Sequence, residues 1–439
     1  MQVKTVTQTT QDMIDRRKRV VSDGVGIFAP TSAVRAEGAV FYDAEGREWL
    51  DFGAGIGVTT AGHCPPTVVA AIQKQAEQLI HACFHVSSYE PYIALCEKLV
   101  EILPHGDATK VMLTNTGAES VENAIKIARQ YTGKSAVICY TEAFHGRSMM
   151  AMTLTSKISY KEGCGPFAPE VYRLPFPNVY RRPKGLSEEE FVQTEIRRLH
   201  DIFENTVPSS EVAAIIIEPV QGEGGFNIVP QAYFEALREV CDQHNIVLIA
   251  DEVQSGFCRT GKWGAYEHYG LVPDLSTWAK ALGSGMPIGC VIGKAHIMDA
   301  ARPGSIGGTY PGNPVCCAAA LATLDFMEKE NLNARSVAIG KLMRTRFEAM
   351  QQRFPLIVGD VRGIGAMMAI ELVRNGDPHR PSYDRGDVFI KGCWGQGLMV
   401  LVAGVNRNIL RVLVPLVVTD EQLNKGLDII ESELEKIND

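Results

Sequence analysis

The sequence predicts an α/β fold with a mainly parallel central sheet, and three observations carry that expectation. Short apolar runs repeatedly end in polar or glycine-rich turns and then give way to helical periodicity, which is the pattern of βα units. The chain has 439 residues, too many for one simple domain, and its 46% hydrophobic and 21% charged content is ordinary for a soluble globular protein. The two ends read differently from the middle, with a hairpin near the start and mixed helices and strands in the last hundred residues. The expected organisation is an N-terminal arm and part of a small domain over 1–60, a large α/β domain over 61–330, and a C-terminal segment over 331–439. Both termini together would build the small α+β domain.

Taken in order, Met1 to Gly24 reads as a helix plus an arm. Its basic run Arg16-Arg17-Lys18-Arg19 follows Asp12 and Asp15 and suits a solvated helix face. FYDAEGREWLDFGAGIG, from Phe41, reads as a hairpin turning at Glu45-Gly46. His81 and His85 have i, i+4 spacing but no third ligand, so a surface or core role is expected and no metal site. Val111 to Leu113 leads into TNTGAES and the helical VENAIKIARQYTG; Ala136 to Cys139 leads into YTEAFHGRS. Val212 to Ile217 leads into EPVQGEGG, and Ile246 to Ala250 into DEVQSGFCRTG. GAMMAIELV and ILRVLVPLV read as strands of the C-terminal part. Ligands of open α/β sheets bind outside the carboxyl ends of the strands, so Asn115, Phe144, Glu218 and Asp251 should face one crevice.

Charge and composition narrow the function classes. A net charge of −8 argues against a broad footprint for nucleic acid or for an anionic membrane. No run approaches eighteen apolar residues, and MQVKTVTQTTQDMIDRRKR has no apolar signal core, so neither a membrane span nor a secretory signal is expected. The eleven cysteines are scattered without a CxxC pair, which suits free thiols in a reducing compartment. A cytoplasmic location follows as the expectation.

The residues that could carry chemistry cluster in the turns. In DLSTWAKALGSGMPIG, Lys280 is the one charge between Asp274 and Lys294 and is followed by Gly283, Gly285, Pro287 and Gly289. A lysine held in an apolar place has a lowered pKa and a free nucleophilic amine, as Schiff-base chemistry requires; on its own it could equally snorkel to solvent. Thr114 to Ser120 joins a strand to a helix and aims helix-start N–H groups at the crevice, a phosphate cradle or an ordinary cap by Thr116. Asp251 follows a continuous apolar strand and needs a cationic partner, which a protonated pyridine nitrogen would supply. The 29 residues from Asp251 to Lys280 leave room for a helix and a return strand. In Phe144-His145-Gly146-Arg147 the aromatic could stack on a ring and the arginine could read a carboxylate, although Phe is usually core and Arg usually surface. Glu218, Glu223 and Arg411 are equally ambiguous alone.

Taken jointly these motifs resemble the class III (ω-amino) aminotransferases of pyridoxal-phosphate fold type I. The likeness runs over nearly the whole chain, from DFGAGIGV through TNTGAESVENAIKIAR, FHGRS, IEPVQGEGG, IADEVQSGFCRTG, the Lys280 stretch and GGTYPGNPVCCAAA to ILRVLVPLV. YKEGCGPFAPEVYRLPFPNVYR looks most like 4-aminobutyrate aminotransferases. The resemblance implies that Lys280 holds pyridoxal 5′-phosphate as a Schiff base and later shuttles a proton, while Asp251 keeps the pyridine nitrogen protonated. It implies phosphate binding by the Gly117 and Ala118 amides with Thr309 of the partner subunit, ring contacts from Phe144, His145 and Val253, and a hydrogen bond from Gln254 to the ring hydroxyl. Arg147 would read the carboxylate three carbons from the amine in both glutamate and 4-aminobutyrate, with Ile56 lining the pocket and Glu218 beside it. Arg411 paired with Glu223 would serve the α-carboxylate that only glutamate carries. A homodimer with shared sites is implied, or a tetramer built from it. Acetylornithine, ornithine or 5-aminovalerate aminotransferases, and an amino-acid racemase on the same fold, are the alternatives. The chain departs from the class pattern at Ser284, where a third glycine is common, and at Trp278, a bulky residue two before the lysine.

Overall fold

The computed structural model describes residues 9–437. Of the expected N-terminal helix and arm, residues 1–8 lie outside the described residues, and the helix spans Thr10–Val20 with a Thr9 capping box. Its Arg17, Lys18 and Arg19 stand in the last turn, where cations complement the helix dipole.

A seven-stranded sheet forms the centre, in the order Thr109–Thr114, Gly289–Lys294, Leu275–Trp278, Val247–Asp251, Val212–Ile217, Ala136–Tyr140 and Val171–Leu174. Gly289–Lys294 is antiparallel to both of its neighbours, and the pairings from Leu275–Trp278 onward are all parallel. Alternate residues feed two separate cores. Val137, Cys139, Ile216 and Ile249 pack with the helix Gly117–Thr132 on one face, while Ile138, Tyr140, Ile215 and Leu248 join Phe234 and Leu237 of the helix Gln231–His244 on the other. Burial on both faces is why these strands read as unbroken apolar runs.

The expected hairpin forms between Val40–Tyr42 and Glu48–Asp51, held by a stacked Phe41–Trp49 pair with ring centroids 5.7 Å apart. Leu398–Met399 adds to it in parallel, so segments from opposite ends of the chain share one four-stranded sheet. A second C-terminal sheet contains Val358–Ile364, Met367–Arg374, Ile409–Val412 and Leu401–Ala403, with Asp377–Pro381 at its side. Arg259 locks these parts together: fully buried, it donates to Val414 O at 2.5 Å and to Thr60 Oγ1 at 2.8 Å. Burial lowers its pKa to about 10.

One local expectation fails. Between Asp251 and Lys280 there is no α-helix, only a 3₁₀ segment at Ala265–Tyr269 before the strand Leu275–Trp278. The glycines at 256, 261, 264 and 270 break helical propagation there, and the strands are joined by an irregular loop. Among the described residues no helix is long and apolar enough to cross a membrane.

Candidate active site

The carboxyl ends of the parallel strands open onto a cavity of about 510 Å³, lined among others by Asn115, Phe144, Glu218 and Asp251 from the four expected turns. Gly117, Ala118, His145, Arg147, Glu223, Val253, Gln254 and Lys280 line it too. Three sequence candidates stand elsewhere. Ile56 is not on the wall; the chain kinks through left-handed conformations at Gly55 and Ile56, and Val58 is the residue that reaches the cavity. Arg411 stands behind the wall and enters only through its ion pair with Glu223. Thr309 is exposed and does not reach the cavity of its own chain.

Lys280 lies half-buried in the cavity, directly after the strand Leu275–Trp278, with a left-handed φ of 45°. Desolvation lowers its pKa to about 8, with Glu223 pulling upward and Arg411 downward. Trp278 turns away from it. The indole is fully buried and does not line the cavity; it donates to Ser276 Oγ at 2.7 Å and packs on Phe257, 5.0 Å between centroids. Gly256 makes that room: a Cβ there would lie 2.4 Å from the Trp278 ring. The bulk two residues before the lysine therefore props the strand and leaves the cavity unchanged. Ser284 takes a left-handed φ of 47°, a conformation glycine adopts more readily, and its buried Oγ has no partner.

Asp251 is almost completely buried at the end of its strand. Its Oδ2 stands 2.6 Å from His145 Nδ1, and its Oδ1 accepts from the Val253 amide at 3.1 Å. Those contacts orient the carboxylate and leave His145 Nε2 buried without a partner. Glu218 accepts from the amides of Gly222 at 2.9 Å and Phe144 at 3.1 Å. Burial nevertheless raises its pKa to about 7, His145 opposing and the Asp251 charge adding to the rise.

Helix Gly117–Thr132 begins at the cavity, and the cap expected at Thr116 forms beside open helix-start amides. Thr116 caps by accepting from the Glu119 amide at 3.1 Å, while the Gly117 and Ala118 amides, at the first two helical positions, have no acceptor inside the helix. The loop of Phe144 to Ser148 packs tightly on that helix start. Gly146 has φ 129°, and a Cβ there would come 2.7 Å from Ala118 Cβ. Glu122 holds the far side of the loop, accepting from Ser148 Oγ at 2.7 Å and the Met150 amide at 2.9 Å. Sequence reasoning missed Glu122 because nothing in its helical register marks a loop 26 residues away.

Arg147 stands at the exposed edge of the cavity with its guanidinium carbon 4.7 Å over the Tyr160 ring, and the same ring meets Phe144 edge-on at 5.2 Å. At the same cavity Glu223 forms a hydrogen-bonded ion pair with Arg411, the arginine side chain 4% exposed and the glutamate 15%. Burial works to raise the Glu223 pKa, but Arg411 and Lys280 outweigh it and the net shift is downward. The Glu223 loop is tied to the C-terminal sheet by Arg362, which donates to Gly225 O at 2.8 Å, and by Gly404, whose amide donates to Glu223 O at 2.9 Å. Gln254 Oε1 is buried and unpartnered beside the cavity.

This donor set suits pyridoxal phosphate. A lysine amine meets an aldehyde, a buried carboxylate meets a pyridinium, unfilled helix-start amides meet a phosphate, and the orphaned Gln254 oxygen meets a ring hydroxyl.

Comparison with known proteins agrees. The class-III aminotransferase family model matches residues 22–434. The chain is 46% identical to a probable 4-aminobutyrate aminotransferase of Bacillus subtilis, covering 99% of this chain and 100% of the relative. It is 44% identical to the 5-aminovalerate aminotransferase DavT of Pseudomonas aeruginosa, covering 97% of this chain and 98% of that protein. Among solved structures it resembles an (S)-enantioselective omega-transaminase from Thermomicrobium roseum, with TM-score 0.92, 30% identity and coverage of 99% and 100%. It also resembles a PLP-bound amine transaminase from an uncultivated Pseudomonas species, with TM-score 0.86, 29% identity and coverage of 92% and 95%. The family match over residues 22–434 and the 46% identity over nearly the full length of both chains make this protein a member of the class-III aminotransferases.

Proposed function

We propose that the chain uses pyridoxal 5′-phosphate to move the amino group of a terminal amine such as 4-aminobutyrate to 2-oxoglutarate. The products would be succinate semialdehyde and glutamate, formed by a ping-pong mechanism in which one cavity serves both half-reactions. The observation that carries this reading is the Arg411–Glu223 pair at the wall of a cavity that Glu223 and Arg147 both line. Both substrates bear a carboxylate three carbons from the reacting nitrogen, and only glutamate adds a second one beside the reacting carbon. Arg147 binds the shared carboxylate. Arg411 stays neutralised by Glu223 when 4-aminobutyrate is bound and accepts the α-carboxylate of glutamate in its place.

Bound pyridoxal phosphate supplies an aldehyde that condenses with amines and a ring that takes up the electron pair released at the substrate carbon. The chain's own residues do the rest. Asp251, oriented by His145, holds the proton on the pyridine nitrogen. Gly117 and Ala118 would bind the phosphate through their amides, completed by Thr309 of the partner subunit in a homodimer. Phe144 and Val253 would shield the ring from water. Gln254 would bond the ring hydroxyl. Lys280 Nζ would hold the cofactor and, as a free amine, would take the proton from the substrate carbon; its pKa near 8 suits it to act as base close to neutral pH. A cytoplasmic location fits the cysteines, which are all free.

A second reading is supported by the 44% identity to the 5-aminovalerate enzyme. That amine is one methylene longer, a difference a pocket discriminates by only about 1–3 kcal/mol. The test is a panel of 4-aminobutyrate, 5-aminovalerate, ornithine and acetylornithine against 2-oxoglutarate and pyruvate. Best kcat/KM with 4-aminobutyrate and 2-oxoglutarate is expected. A clear preference for 5-aminovalerate would move the assignment, and turnover without a keto-acid acceptor would overturn it.

A further inference from the structure

The exchange at Arg411 leaves one group unprovided for. When an α-carboxylate takes Arg411, Glu223 is left as a carboxylate in a largely enclosed place, and a buried charge stripped of its partner is strongly disfavoured. Gln254 remains a neutral hydrogen-bonding partner of Glu223, so what the exchange lacks is a new positive charge within reach of a side-chain rotation.

Besides Arg411, cations in this region among the described residues include Arg147, Arg407, Lys280 and Lys157. Arg147 is taken by the distal carboxylate in the reading above, on which this inference rests. Arg407 is already paired with Asp387 at 2.7 Å. Lys280, although it also acts on Glu223, is occupied at that stage in carrying the proton at the substrate carbon. Lys157 is the fourth, and among the described residues it enters no ion pair; its Nζ makes one long contact, 3.4 Å to Gly404 O. The other side of that same glycine is bonded to the residue in question, the Gly404 amide donating to Glu223 O at 2.9 Å. One glycine therefore bridges Lys157 and Glu223. Its backbone cannot carry a side chain there, since it has φ 79° and a Cβ would come 2.8 Å from Ile409 Cδ1. Lys157 also lies 5.5 Å over the Tyr160 ring, whose other cation is Arg147, so the ring holds the amine near the cavity without neutralising it.

We propose that Lys157 is a positioning residue that receives the Glu223 carboxylate when a substrate α-carboxylate displaces it from Arg411. Lys157 thereby favours the glutamate half-reaction and is a bystander in the 4-aminobutyrate half-reaction. The charge balance supports this: burial lowers the Lys157 pKa, and Glu223 is the neighbour that opposes the fall.

The test is single-turnover kinetics of the holoenzyme with glutamate and with 4-aminobutyrate, for wild type, Lys157→Met, Lys157→Arg, Glu223→Gln and the Glu223→Gln/Lys157→Met double variant. Lys157→Met is expected to raise the apparent KM for glutamate by about tenfold and to leave that for 4-aminobutyrate within about twofold, with Lys157→Arg close to wild type. In the Glu223→Gln background there is no carboxylate to receive, so adding Lys157→Met should change nothing further. Equal losses with both donors, no loss with glutamate, or an undiminished loss in the double variant would overturn the role of Lys157 while an asymmetric Glu223→Gln leaves the exchange itself standing. A wild type without 4-aminobutyrate turnover, or a symmetric Glu223→Gln, would overturn both together.

Discussion

Replacing Glu223 with Gln tests the substrate logic most directly. Glu223 neutralises Arg411, whose side chain is 4% exposed, and removing one partner of such a pair costs about 3–5 kcal/mol. The glutamine carbonyl still accepts one hydrogen bond from Arg411, which returns about 1–1.5 kcal/mol. Roughly 1.5–4 kcal/mol remains uncompensated when 4-aminobutyrate is bound, equivalent to about 10- to 900-fold in kcat/KM at 1.36 kcal/mol per factor of ten. With glutamate the α-carboxylate fills the place of Glu223, so that half-reaction should stay within a few-fold of wild type. The substitution also removes the neighbour that holds the Lys280 pKa up, but this acts on both half-reactions and divides out of their ratio. Stopped-flow measurement of the cofactor absorbance, with each donor alone, gives the two values independently. Equal losses would refute the exchange, and a larger loss with glutamate would reverse it.

Three further outcomes are expected. Because enclosure lowers Lys280 to about 8 from its usual 10.5, the neutral, nucleophilic fraction of the free amine grows as pH rises, and loading of the apoenzyme with pyridoxal phosphate should accelerate to a plateau above about pH 8; a midpoint near pH 10 would show an ordinary solvated lysine. Arg147→Met should raise KM for both 4-aminobutyrate and 2-oxoglutarate by about 10- to 100-fold, the worth of charge-assisted hydrogen bonds, and should spare amines that lack the carboxylate; an effect on one substrate alone would contradict a shared site. Gly256→Ala drives a methyl into the Trp278 ring and toward Glu252 O, 2.9 Å away, and should destabilise the fold by about 1–3 kcal/mol, seen as a shortened thermal half-life that Trp278→Phe in the same chain partly restores; an unchanged half-life would mean the indole is free to move.

The parts of the cavity legible in the sequence are those written locally. A strand, a polar turn and a helix start are contiguous, so the positions of Asn115, Gly117, Phe144, Glu218 and Asp251 at one sheet edge follow from the strand-then-turn pattern and the direction of a parallel sheet. Lys280 stands out for a similar reason: a lone charge among apolar residues and glycines is visible without any partner. What those readings left open was set by contacts between distant segments. Glu223 and Arg411 are 188 residues apart, and their pairing depends on how the C-terminal sheet packs on the large one. Whether Trp278 fills the cavity or the core depends on where a distant segment leaves room for the indole, and the space at Gly256 decides in favour of the core. Val58 rather than Ile56 reaches the wall because two consecutive left-handed residues redirect the chain, a backbone choice that side-chain pattern does not encode. The helix expected between Asp251 and Lys280 gave way to an irregular loop, and Arg259 became a buried clamp between both ends of the chain. Sequence alone thus determined the chemical groups and the sheet edge that displays them, because both arise from neighbours along the chain. Tertiary packing alone decided which charges neutralise one another, because that depends on the desolvated space between segments the chain keeps far apart.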